Sequence, residues 1–455
     1  MKTKFSLSFL LTINLLFSQS FVTTWKTDNS GVSNGTSITI PTFTGETYNY
    51  NVDWDNDGVF DEFGITGDIT HDFGFSGTYT ISIQGTFPRI YFNNQGDKEK
   101  LLFVNQWGRQ KWTSMELAFY GCVNLEIVAI DIPNLENVNS MAYMFAATSF
   151  FNNDIGNWDV SHVTDLEAMF GDAFTFNQDI SNWDVSNVEN MASMFSGAAS
   201  FNQDISSWNV SNVENMHGMF YGTNSFNQDI GNWDTSSVTN MSYMFFGASV
   251  FNHEIDNWDT TNVTNMRGMF ENAFNFNRSL GNWSVSNVAD MTNMFKNITL
   301  STDNYDNILL QWDAQALQNK VNFHGGNSKY CDGEVARNNM TQSDKWKITD
   351  GGRKVNCISK ISTKQFDSSV IKNDVVNHQR NIIKFYPNPV QDILFIKGLD
   401  KKAEVVITNI AGKVIRHIDG EIAQNGINVS NLQNAIYFLK IALGNEIVIK
   451  KFIKE

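Results

Sequence analysis

Cysteine is scarce in this chain. Cys122, Cys331 and Cys357 are three among 455 residues, so a disulfide-dense scaffold is excluded and one thiol stays unpaired within the chain. Basic residues are the minority, 32 against 48 acidic, for a formal net charge of −16, and nucleic acid is a poor partner for such a surface. Beyond the first 20 residues no run of about 18 apolar residues occurs, so no membrane span is expected there. A catalytic constellation is lacking too. The histidines (71, 162, 217, 253, 324, 378 and 417) share no metal-ligand spacing, and the serines fall at cap or turn positions rather than beside a base. The expectation is a non-enzyme.

What is present is a period. Trp recurs at 158, 183, 208, 233, 258 and 283, and a Met-Phe pair recurs from Met144-Phe145 to Met294-Phe295, both in steps of 25 residues. Seven units follow one another. A fixed period of this length marks a solenoid, in which no unit buries its apolar face alone and neighbours complete the core. The acidic charge sits there, with 19 acidic and 3 basic residues between positions 131 and 300.

Within a unit, residues 180–185 alternate as a half-buried strand would, with Trp183 and Val185 on one face and Asp184 on the other. Val188, Met191, Met194 and Phe195 follow at helical spacing, and the pairs Ser186/Glu189 and Ser211/Glu214 fit a capping box. Gly197, Gly222, Gly247, Asn272 and Asn297 supply residues that tolerate the left-handed conformation ending a helix. The unit therefore reads as strand, turn, short helix, and the fold class as an α/β solenoid between all-β sandwich domains.

Three columns invite a functional reading. The asparagine after each Phe (152, 177, 202, 227, 252 and 277) reads as a backbone-satisfying ladder. The Trp column is either core or an exposed platform for sugars, with core favoured because Trp and Val share a strand face. The residue after each Trp, namely Asp159, Asp184, Asn209, Asp234 and Asp259, forms an outward acidic to polar ladder, a solvated face or a ligand-binding one.

The flanks differ in texture. Residues 1–20 carry two lysines, an apolar run and a small polar exit, the pattern of a secretory signal peptide. Residues 21–88 show short alternating runs, read as a small β-sandwich, with 89–130 as a cap leading into repeats at 131–300. The loop Asp53-Trp-Asp55-Asn-Asp57-Gly58-Val-Phe-Asp61 places carboxylates at alternate positions before a glycine, as in the first half of a calcium loop, but Gly64 stands where the closing acid belongs. An acidic turn and a calcium site are both open readings, and no other cofactor is expected. Residues 301–357 read as a C-terminal cap with a Cys331–Cys357 disulfide, 358–382 as a linker and 383–455 as a second compact sandwich.

Two resemblances arise from these residues. The repeat FNQDISNWDVSNVENMASMF, the lead-in from Gly85 to Asn94 and the exit segments at Trp312 and Gly326 resemble BspA-family leucine-rich-repeat surface proteins. That resemblance implies a cell-surface solenoid engaged in adhesion to a protein or surface partner, with no catalytic residues to carry over; polysaccharide capture is the alternative. The tail, with Phe385-Tyr-Pro-Asn-Pro389, Gly412-Lys-Val414 and a Lys-rich final strand, is similar to the type IX secretion sorting domain of Bacteroidota. It implies handling by the outer-membrane translocon and a surface or secreted destination.

Overall fold

The computed structural model describes residues 19–355, 357, 384–386, 390–397, 403–409, 414–423, 426–443 and 446–454. Most of the expected signal peptide and all of the expected linker lie outside these residues. The chain divides into two compact units, 1–358 and 359–455. Among the described residues strands outnumber helices in both, and no sheet closes into a barrel.

The first unit opens with alternating segments that pair as their period requires. Strands β1 (Phe21–Lys26), β3 (Asn49–Asp53), β4 (Glu62–Ile65) and β6 (Thr78–Thr86) join β7 (Leu101–Gln106) and β8 (Glu126–Ile127) in one sheet of order β4-β3-β6-β1-β7-β8. The pair β2 (Ser37–Ile40) and β5 (Ile69–Asp72) forms a second, two-stranded sheet. The sheet runs on past residue 88, and its β7–β8 contact is parallel, the register in which the repeats begin. Phe21, Trp107 and Trp112 pack ring against ring, and Trp107 meets Trp158 edge-on at 5.5 Å, so the core passes unbroken into the first repeat. Lys100 is buried here with its ammonium donating to Ser33 O and Oγ, Asn34 O and Ser37 O.

The repeats stack, but not by the expected elements. Residues 128–301 contain no helix, and 180–185 are not a strand. The backbone between Met191 and Ala198 alternates instead. The N–H groups of Met191, Ser193, Phe195 and Gly197 donate to Asn215, His217, Met219 and Tyr221 of the next repeat, while those of Met194, Ser196 and Ala198 donate three residues back. Three-residue turns bring Val188, Met191, Met194 and Phe195 to one face much as a helix would, which is why the spacing misleads. The supposed capping acid Glu189 donates its N–H to Thr164 O of the preceding repeat. Parallel bridges run through Ser140, Asp165, Asn190, Asn215, Asn240, Asn265 and Asp290, one per repeat. Ring after ring is buried behind them: Phe170, Phe195, Phe220 and Phe245 stack 5.6–5.8 Å apart. Each such side chain contributes roughly 1.5–3 kcal/mol of burial.

A helix, Thr302–Asp313, covers the last repeat, with Ser301 accepting the Asn304 N–H as its cap. Strands β9 (Asn322–His324) and β10 (Lys347–Thr349), paired in parallel, and the helix Glu334–Gln342 complete the unit. Cys331 and Cys357 are bonded across a Cα separation of 5.6 Å, and Cys122 is buried and free, its thiol held well above the usual range by burial.

The second unit has its own core. The sheet of β11 (Lys384–Tyr386), β12 (Ile393–Lys397) and β15 (Ile427–Asn428) and the sheet of β14 (Val414–Asp419), β13 (Glu404–Asn409), β16 (Ala435–Leu443) and β17 (Glu446–Lys454) bury Leu394, Ile396, Val405, Ile407, Leu439 and Ile441 together.

Candidate functional site

The column beside the tryptophans is exposed yet locally occupied. Asp159, Asp184, Asn209, Asp234 and Asp259 each accept, through Oδ1, the N–H two residues on, at 2.9–3.2 Å. These are Asx turns, the ordinary use of aspartate and asparagine at a bend. Hydroxyls reinforce several of them, and hydrogen bonding from Ser161, Ser186 and Thr261 lowers the pKa of Asp159, Asp184 and Asp259. The carboxylates are spaced along the stack but do not converge on a point.

The tryptophans themselves are core. Trp158, Trp183, Trp208, Trp233, Trp258 and Trp283 are at most 5% exposed, and from Trp183 onward each indole N–H donates to a carbonyl of the preceding repeat, as Trp183 does to Ile155 O at 3.1 Å. An indole platform for sugars is therefore absent from this column. The asparagines behave as a ladder: Asn177, Asn202, Asn227, Asn252 and Asn277 each donate the backbone N–H to the side-chain oxygen of the asparagine 25 residues earlier, at 2.9–3.0 Å.

Ring spacing reveals the curvature of the stack. Trp233 and Trp258 lie 6.3 Å apart, whereas Phe245 and Phe270 of the same two repeats lie 5.5 Å apart. The repeats fan open on the tryptophan side, so the segment carrying the Met-Phe pair is the inner, concave one. On that segment, positions 143, 168, 193, 218, 243, 268 and 293 hold Tyr, Ala, Ser, Gly, Tyr, Gly and Asn, all with φ between 48° and 62°. Small residues and Asn suit this left-handed conformation. A bulky tyrosine there costs of order 1–3 kcal/mol, the kind of strain that accompanies functional positions.

Both tyrosines are fastened. Tyr143 donates its hydroxyl to Glu167 Oε1 at 2.7 Å, a bond that raises its pKa to about 12, and Tyr243 accepts from Arg267 Nε at 2.9 Å. Tyr243 lies over Gly268, where a Cβ would come within 2.6 Å of the ring. Neighbouring positions add Tyr120, tilted against Tyr143 at 6.0 Å, and Tyr221, stacked on Phe246 at 4.4 Å. Between these aromatic walls lie two depressions of about 210 and 360 Å³ that share Ser193 and Ser196. Ala146, Ala168 and Gly171 help line the first, and His217 and Gly218 the second. Sequence reasoning missed this site because it attended to the constant columns. The available signal was two tyrosines interrupting a column of small residues.

In the acidic loop, oxygens of Asp53, Asp55 and Asp61 lie within 4.8 Å of one another, whereas Asp57 is left out and caps the Val59 N–H. Asp53 is 1% exposed and accepts the N–H groups of Asp57 and Gly58; burial raises its carboxyl pKa. Asn56 Oδ1 beside it is buried with no hydrogen-bond partner. A hard cation of calcium size would draw on these three carboxylates.

Residues 113–229 and 203–312 match the family described as Mycoplasma protein of unknown function, DUF285, and residues 384–455 match the secretion system C-terminal sorting domain. No curated protein matches the chain. A type IX sorting tail sends a chain to the cell surface or outside the cell, and among the described residues no helix is long and apolar enough to cross a membrane. This is an exported repeat protein.

Proposed function

We propose that the chain is an adhesion protein whose repeats form a leucine-rich-repeat-like solenoid, as in the BspA-family proteins it resembles, and hold a partner without chemistry of their own. The observation that carries this reading is the inner face between Tyr143 and Tyr243, where strained, fastened aromatic side chains wall a floor of small residues. Concave solenoid faces of this kind serve extended binding. The Asp159 to Asp259 column on the wide side is a second contact surface, less favoured because its oxygens already hold their own turns. The sorting tail delivers the repeats by engaging the type IX translocon.

The test is binding of the full chain to arrays of immobilised surface proteins and glycans. Saturable binding to at least one class is expected, and an array without any would contradict adhesion. The Asp53 loop enters as a calcium site on the convergence of three carboxylates.

A further inference from the structure

We propose that the two adjoining depressions between Tyr143 and Tyr243 together bind a neutral polysaccharide chain. The inference rests on the surface-binding reading above and names its ligand class.

Backbone saturation decides against an extended peptide. Along this face the N–H groups of Met191, Ser193, Phe195 and Gly197 are all donated to the next repeat, so an added strand finds no free donors. Recognition falls to side chains. The aromatic walls offer flat faces held in place by hydroxyl hydrogen bonds, which suits the C–H faces of sugar rings. Ser193 and Ser196 on the floor and Asp172 at the edge offer the hydroxyl and carboxylate partners that sugar hydroxyls need. Four repeats separate the two tyrosines, at ~5 Å each a span of roughly 20 Å, room for several rings of a chain rather than one small molecule.

Charge sets the rest of the class. The depressions lie in a segment with 19 acidic and 3 basic residues, and Glu167 and Asp165 stand beside Tyr143, so a polyanion is repelled. A neutral glycan meets no such penalty.

The test is affinity electrophoresis of the full chain through gels containing laminarin, mannan, xylan or, as the anionic probe, alginate. The variants Tyr143→Ala, Tyr221→Ser and Tyr243→Gly copy the residues that adjacent repeats place there, Ala168, Ser196 and Gly218, and so spare the fold. Retention by at least one neutral glycan is expected, weakened about tenfold or more in the triple variant and unchanged in Phe274→Ala, which trims an exposed ring outside the tyrosine walls. Equal retention by alginate, or retention indifferent to the tyrosine changes, overturns the proposal. If no neutral glycan retains the chain while surface proteins bind it, the glycan site falls and adhesion stands; if nothing binds it, both fall.

Discussion

Tyr143 donates its hydroxyl to Glu167 Oε1 at 2.7 Å across one step of the stack. Because the partner is a carboxylate, ionising the phenol would set two negative charges together, and the Tyr143 pKa rises to about 12 from 10.0. A raised folded-state value means that the bond's contribution to stability is present below the unfolded pKa and is lost as pH climbs through about 12. In a difference absorbance titration of wild type against Tyr143→Phe, the missing component is expected near that pH. Glu167→Gln shifts it back toward the ordinary tyrosine value; an unshifted midpoint would refute the assignment.

Strain at the left-handed positions gives opposite outcomes for two substitutions. Tyr243→Gly relieves a bulky residue at φ 58° while losing its Arg267 bond, so its unfolding free energy is expected within about 1 kcal/mol of wild type. Gly197→Ala does the reverse: φ is 72°, and the new Cβ would lie 2.3 Å from Asp172 Oδ1, costing about 1–2 kcal/mol. Urea unfolding of the two variants checks both, and a larger loss for Tyr243→Gly would contradict the reading.

Trp208→Phe tests the indole ladder. It removes one of two donors to Ile180 O, which keeps the Trp183 N–H, and shrinks a side chain that is 4% exposed. A loss of about 2–4 kcal/mol is expected in the same urea assay. A loss under 1 kcal/mol would mean that the column tolerates gaps.

The acidic loop predicts a metal effect confined to the first unit. Calcium should raise the thermal midpoint of the chain, chelation should lower it, and Asp53→Asn should abolish the difference because it removes the buried carboxylate of the group. Identical melting curves with calcium and with chelator would remove the site.

Much of this architecture was readable beforehand, and the misreadings have causes. The asparagine ladder and the tryptophan core followed from strict 25-residue columns, because a side chain repeated without variation along a stack meets its own copy. The glycine and asparagine positions after Met-Phe do take left-handed backbone, as Gly197 and Asn272 do, but inside a turn rather than at a helix end. Helix and turn could not be separated by spacing alone, since both return a residue to the same face after three positions. The direction of curvature is a property of ring separations that no single repeat encodes. Tyr143 and Tyr243 escaped notice because they break a column, and a break carries meaning only once neighbouring repeats are seen to share a surface.

The most direct measurement is hydroxyl-radical footprinting of the full chain with and without the neutral glycan that retains it. Protection of Tyr143, Tyr221 and Tyr243, with Phe150 and Phe274, exposed rings that line neither depression, unchanged, is the result expected if the inner face holds the partner. Protection along Asp159 to Asp259 with the tyrosines still reactive would place the partner on the wide side and contradict the account.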